Sequence, residues 1–175
     1  MRGARELLVA AGLVVVLAVP NALVVQKERL LASGTPMLLE LAPVDPRSLI
    51  QGDYMTLDYA MARQIADSQQ RWPRSGQLVV ALDGHGVARF VRRHASGTPL
   101  RPGEQLLTYR RRRGRVRVGT DAFHFQEGHA SRYQSARYGE VRVSPTGTSV
   151  LVGLRDSSRS VLGAPVVPAP RPPAR

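Results

Sequence analysis

His124-Phe125-Gln126-Glu127-Gly128-His129 places two imidazoles and a carboxylate within six residues, a set that could hold a metal ion. Ligands on a helix want a spacing of three or four, as in H-E-x-x-H or H-x-x-E-H. His124 and Glu127 meet it, but His129 stands five on from His124 and Gly128 interrupts. On an extended segment Phe123 and Phe125 would point inward and His124 outward. The stretch therefore reads as surface histidines at a strand-to-helix junction, and no metal is expected. His85, in the glycine-rich turn Asp83-Gly84-His85-Gly86, reads as solvated. Asp53 or Asp58 acting with His124 or His129 would be the pair for a hydrolytic site, if they came within hydrogen-bond reach. The chain has no cysteine, which excludes thiolate zinc, iron–sulfur clusters, cysteine nucleophiles and a disulfide scaffold. No cofactor is expected.

Arg110-Arg111-Arg112-Arg113-Gly114-Arg115-Val116-Arg117-Val118 is the densest basic stretch in a chain of net charge +12, whose only lysine is Lys27. Such an excess favours phosphates, whether of nucleic acid, lipid head groups or envelope polymers. A GC-rich coding sequence would also enrich arginine, so the charge permits binding without identifying a ligand. On a hairpin turning at Arg113-Gly114, Val116 and Val118 face the core while Arg115 and Arg117 face out. Arg111, Arg113, Arg115 and Arg117 are the candidates for contact with an anionic lipid or envelope polymer. Nucleic-acid readers interleave aromatics with basic residues, and only Tyr109 is near, so no nucleic acid is expected.

These residues need elements to hold them. Residues 7–25, LLVAAGLVVVLAVPNALVV, carry no charge across nineteen positions. As a helix they reach about 28 Å, close to the thickness of a bilayer's hydrocarbon core. A secretory leader has a shorter apolar run and ends at a small-x-small site. Here Gln26-Lys27-Glu28-Arg29-Leu30-Leu31 continues as helix into water, so an uncleaved anchor is expected. The flanking basic residues, Arg2 and Arg5 before and Lys27 and Arg29 after, nearly balance. A short N-terminus followed by a large domain suits residues 1–6 inside and the domain outside, in the cytoplasmic (inner) membrane. The expected organisation is anchor 7–25, stalk 26–36, ectodomain 37–156 and a Pro-rich disordered tail 157–175.

Within the ectodomain, Met37–Val44 reads as a strand, Asp45-Pro46-Arg47-Ser48 as a turn and Gln51-Gly52-Asp53 as a bend. A strand from Tyr54 to Met61 puts Met55, Leu57, Tyr59 and Met61 on a core face, and Tyr54, Thr56 and Asp58 on the other. Ala60–Gln70 turns helical before Trp72-Pro73, and Gly128–Ala136 reads as a short helix closed by Gly139. Hairpins join 78–82 to 87–92, 104–112 to 115–119, and 140–143 to 150–154. The fold class is α+β: a mainly antiparallel β domain with one or two short helices, preceded by a single transmembrane helix.

Gly52-Asp53-Tyr54-Met55-Thr56-Leu57-Asp58-Tyr59 carries the pattern G-D-Y-x-x-L-x-Y. It resembles the signature of the GDYXXLXY family of bacterial membrane-anchored proteins, as do the leader Leu39–Leu49 and the blocks Glu127-Gly128, Tyr133, Ala136-Arg137-Tyr138-Gly139 and Val141-Arg142-Val143. The likeness implies an envelope protein with one N-terminal helix, often encoded beside multi-pass membrane proteins, and it supplies no catalytic residues. Gly52, Leu57 and Tyr59 have packing explanations and Asp53 a turn explanation; Tyr54 does not. Arg47, Gly52, Asp53, Tyr54, Asp58, Tyr59, Glu127, Tyr133, Arg137 and Tyr138 are thus the candidates for motif and partner contact. The Pro46-x-x-Leu49-x-x-Gly52-Asp53 loop also resembles the substrate loop of type I signal peptidases. Val44 stands where their nucleophilic serine would be, and Ser48 has no activating partner. The function expected is a non-enzymatic accessory module for an integral, multi-pass membrane partner, with an anionic-envelope binder or an Asp/His hydrolase as alternatives.

Overall fold

The computed structural model describes residues 2–42, 50–51, 54–68, 71–112 and 114–163. Helix α1 (Arg2–Ser33) contains the apolar run, with Pro20 inside it. Asn21, the one strongly polar residue there, turns its amide back onto the Leu17 carbonyl at 2.8 Å. No residue between Ala11 and Arg29 is buried. Only Leu30 and Leu31 are half-buried, where the last turn meets the domain.

The expected stalk, 26–36, is made of the end of α1, Gly34 and the start of the first strand. Helix α1 runs to Ser33, Gly34 alone makes the joint, and strand β1 (Thr35–Glu40) begins at the next residue. Gly34 N–H donates to the Leu30 carbonyl, and its own carbonyl accepts from Arg142 Nη1 at 3.3 Å. A Cβ at Gly34 would stand 2.5 Å from Leu30 O, so this joint requires glycine.

Strand β1 lies at one edge of a four-stranded antiparallel sheet with β9 (Tyr138–Val143), β10 (Ser149–Arg155) and β11 (Val161–Leu162). A second sheet has the order β5 (Ala88–Arg93), β4 (Ser75–Leu82), β6 (Glu104–Arg112), β7 (Arg115–Val118). The two meet where Leu38 N–H donates to the Gly86 carbonyl at 2.9 Å. A small sheet of β2 (Ile50–Gln51), β3 (Tyr54–Thr56) and β8 (Ala122–His124) and the helix α2 (Ala60–Asp67) complete the fold. The architecture is α+β, as the alternation of apolar residues indicates. Met37, Leu39, Leu78, Val80, Leu107, Tyr109, Val141, Val143 and Leu154, all buried, form the heart of the core.

Several boundaries differ from the sequence reading. Helix α2 stops at Asp67 because Ser68 turns extended and its hydroxyl takes the Ile65 carbonyl at 2.7 Å. Trp72 Nε1 then donates to that hydroxyl, which lets the indole bury. The helix expected over 128–136 is a 3-10 turn at Ala130–Tyr133, and Gly139 is a strand residue of β9. Strand pairing continues past 156: the Asp156 carboxylate accepts from Ser160 N–H and the Ser158 hydroxyl, closing a turn that brings β11 back onto β10. The turn at 45–48 and the loop residues Gly52 and Asp53 lie outside the described residues.

Candidate functional site

The motif strand keeps its parity. Met55, Leu57, Tyr59 and Met61 are buried, while Tyr54 and Asp58 are half-buried and Thr56 is exposed. Tyr59 joins three parts of the fold. Its backbone pairs with Leu41, its carbonyl accepts from Ala62 and Arg63 at the start of α2, and its hydroxyl donates to Thr120 O at 3.3 Å. The ring passes between Gly139 of β9 and Gly119, the residue after β7. Burial, then the nearby Asp121 carboxylate, raise its pKa far above the usual tyrosine range, so the phenol stays neutral. Tyr59 is therefore a packing residue. Tyr54 meets His124 across the β3–β8 pair, ring centroids 5.7 Å apart, and Asp58 takes Arg63 Nε at 2.8 Å. Asp58 and His124, expected as a possible hydrolytic pair, are thus engaged with different neighbours.

The other motif candidates separate. Tyr133 is buried between Phe123 and Phe125, with centroids at 5.0 and 5.2 Å. Tyr138 is half-buried in β9, opposite Glu40 and Arg155. Arg137 is exposed, and its backbone serves Leu41 and Arg155. Glu127 is exposed in a turn. Arg47, Gly52, Asp53 and Arg113 lie outside the described residues. Among the described residues no three His, Asp or Glu side chains come together.

What the fold does bring together is the motif and the basic hairpin. Thr56, Leu57, Asp58 and Tyr59, with Ala62, Arg63 and Ala66 of α2, form one wall of a groove of about 650 Å³. The other wall is Gly114–Val118 with Asp121. Among the described residues β7 is the last strand of its sheet, and its outer edge borders this groove. Val116 and Val118 are buried and Arg115 and Arg117 are exposed, as alternation requires. Arg117 is paired with Asp121, while Arg115 has no ion-pair partner among the described residues.

The register across the hairpin sorts the basic candidates by face. Arg112 pairs with Arg115 and Arg110 with Arg117, whereas Arg111 pairs with Val116 and so falls on the opposite face. The outward face is Arg110, Arg112, Arg115 and Arg117. A two-residue turn at Arg113-Gly114 implies this pairing, and that was the signal the sequence offered. Beyond it lies a second cleft, of about 280 Å³, lined by Arg110, Arg112, Arg117, Asp121 and the hydroxyl residues Thr108, Thr148 and Ser149. The turn carrying Thr148 is fixed by Thr108 N–H, which donates to Gly147 O at 2.8 Å, and by Gln77 Nε2, which donates to Thr146 O. Gly147 has φ +85, and a Cβ there would stand 3.1 Å from the Leu107 and Thr108 nitrogens. Only glycine lets the turn sit so close.

The profile of the GDYXXLXY protein family matches residues 16–154, which takes in half the apolar helix, the Gly34 joint, the motif and both clefts. The chain belongs to the GDYXXLXY family. No curated protein and no solved structure matches it. In this GDYXXLXY protein the last tyrosine of the signature builds the core. The residues just before it, Thr56 and Asp58, reach the groove.

Proposed function

We propose that this chain is a single-pass protein of the bacterial cytoplasmic membrane, with its folded domain on the extracytoplasmic side, serving as a non-enzymatic accessory module for a multi-pass membrane partner. The observation that carries this reading is the bare apolar helix joined by one residue to a core strand. Leu13, Val14, Val15, Val16, Leu17, Val19, Leu23, Val24 and Val25 are all exposed around its circumference. An all-round apolar helix of this length finds its cover in lipid. The apolar run of nineteen residues, longer than the roughly 7–15 of a removable leader's, favours an anchor.

The partner reading draws on the groove between the motif and β7, where the last strand of the sheet and Arg115, which has no ion-pair partner among the described residues, offer both backbone and charge contacts. The test has two parts. Membranes carrying the full chain are washed with alkaline carbonate, and the N-terminus of the retained protein is sequenced. A single cysteine at Ser157, in a chain that otherwise has none, is then offered a membrane-impermeant maleimide. Retention of residues 1–25 and labelling from the outer face are expected, with a multi-pass protein recovered in mild detergent. A product cut near Val25 and free in solution would overturn the anchor. Recovery from native membranes as a lone monomer would overturn the partner.

A further inference from the structure

Like charges directly opposite one another on paired strands destabilise a hairpin. The β6–β7 hairpin holds two such pairs in succession, Arg110 with Arg117 and Arg112 with Arg115, on a single face. Arg110, Arg112 and Arg115 have no ion-pair partner among the described residues, and only Asp121, beside Arg117, offsets the charge. Three of these arginines, Arg110, Arg112 and Arg117, line the smaller cleft with Gly119 and Asp121, the carboxylate being taken up by Arg117. Its other side carries the hydroxyl residues Thr108, Thr148 and Ser149. Guanidinium forks and hydroxyl donors converging on one concavity are the chemistry that recognises a phosphate group.

The position of the cleft selects the source of that phosphate. Ser149 pairs with Val143, and Val143 pairs with Thr35, the first residue of β1. The hydroxyl wall therefore stands two strands away from the point where α1 leaves the domain. Neighbouring strands are about 4.8 Å apart, so the separation is roughly 10 Å. About 13 Å of helix separate Val25, the end of the apolar run, from Gly34, so this end of the domain is the one a tilted anchor lowers toward the headgroups.

We propose that the cleft formed by Thr108, Arg110, Arg112, Arg117, Thr148 and Ser149 binds the phosphodiester headgroup of an anionic phospholipid. The inference rests on the membrane-anchored reading above and adds a ligand class to it. Bound there, a headgroup would relieve the arginine repulsion and hold the hairpin against the membrane surface.

The experiment uses the full chain in an uncharged detergent, titrated calorimetrically with dihexanoyl phosphatidylglycerol. Dihexanoyl phosphatidylcholine and inorganic phosphate are the comparison ligands. The expected result is saturable binding of the phosphatidylglycerol, with both comparison ligands weaker. R110Q/R112Q should weaken binding about tenfold or more, from about 1 kcal/mol for each basic side chain at such a surface. R71Q/R132Q, a pair of exposed arginines elsewhere, should leave it unchanged. Thr148→Val tests the hydroxyl wall without altering charge and should also weaken it. Thermal melts in the same detergent identify any variant that fails to fold. Phosphatidylcholine binding as tightly as phosphatidylglycerol would overturn the proposal, as would indifference to R110Q/R112Q in a folded protein or no binding at all. Inorganic phosphate binding as tightly would assign the cleft to a free anion instead. Because the titration is done in detergent, its failure leaves the carbonate and labelling result standing, and a cleaved, soluble chain would fail that separate assay.

Discussion

The ring of Tyr59 lies so close to the backbone of Gly139 that a Cβ on the glycine would stand 3.2 Å from Tyr59 Cε1 and 3.3 Å from its hydroxyl oxygen. Neither side has room to retreat, since Tyr59 is buried and Gly139 sits mid-sheet between β1 and β10. Gly139→Ala should therefore destabilise the protein by about 1–2 kcal/mol, the usual cost of overpacking. Tyr59→Phe, which loses only the 3.3 Å bond to Thr120, should cost under about 1 kcal/mol. Denaturant unfolding of the full chain in detergent measures both; the reverse order would contradict the packing role given to Tyr59.

The same tyrosine sets an alkaline limit. Burial, then Asp121, raise its pKa in the folded protein, whereas an unfolded chain ionises it near 10. The folded state thus retains a proton that the unfolded state loses. Stability contributed by the neutral phenol is complete below pH 10 and declines as pH rises beyond it. Burial raises Tyr109 in the same direction, so Tyr59→Phe should make the alkaline decline shallower without abolishing it. Melts between neutral pH and the alkaline range would reveal an equal slope if Tyr59 were open to solvent.

At the acid end the group to follow is Glu104. Its carboxylate takes both terminal nitrogens of Arg92, and it also accepts from Arg101 N–H at 2.8 Å. The Arg92 hydrogen bond, then that of Arg101, draw its pKa down from 4.5 to about 2. The unfolded state therefore takes up the proton first. The stabilising contribution is complete above pH 4.5 and disappears as pH falls through about 2. Wild-type protein should melt above Glu104→Gln at neutral pH, with the gap narrowing across that window; a constant gap would refute the assignment.

Tyr109 carries a local imperfection. It is fully buried, with Trp72 edge-on at 5.3 Å, and its hydroxyl has no hydrogen-bond partner among the described residues. Removing an unsatisfied buried hydroxyl is neutral or favourable. Tyr109→Phe should leave stability unchanged or raise it by about 1 kcal/mol, and a loss on chemical denaturation would show that the hydroxyl has a partner after all.

Neutralising one member of the Arg110–Arg117 pair should stabilise the hairpin. Arg110→Gln is expected to raise stability by about 0.2–1 kcal/mol in low salt. Ions screen exposed charges, so the gain should fade as salt is added. A salt-independent change would mean that repulsion is not its origin.

The elements with strong local signals were legible in the sequence. The alternation of Met55, Leu57, Tyr59 and Met61 named the buried face, and the turns at 83–86, 113–114 and 145–147 set the three hairpins. What joins those elements was not legible. Nothing near Tyr59 in the sequence announces Gly119 and Gly139, which lie 60 and 80 residues on. The cleft was missed for a related reason. Thr108, Thr148 and Ser149 are unremarkable in their own strands and meet the arginines only because the Gly147 turn docks on β6. The face that Arg111 takes is set by its pairing with Val116 across the turn, which position along its own strand does not announce. Past Ser157 a two-residue strand is too short to show a period, so β11 was read as tail.

The one-residue joint at Gly34 has a mechanical meaning. A domain hung on a loose tether would be deaf to the angle of its helix, but here one residue and the Arg142 bond to it join helix to sheet. Spanning helices commonly sit at tilts from near zero to about 40°. Over a body roughly 30 Å across, a swing of 10° displaces the far rim by about 5 Å. On the anchored reading proposed above, a thinning bilayer, or a neighbour that leans on the helix, would thereby re-aim the groove without touching it.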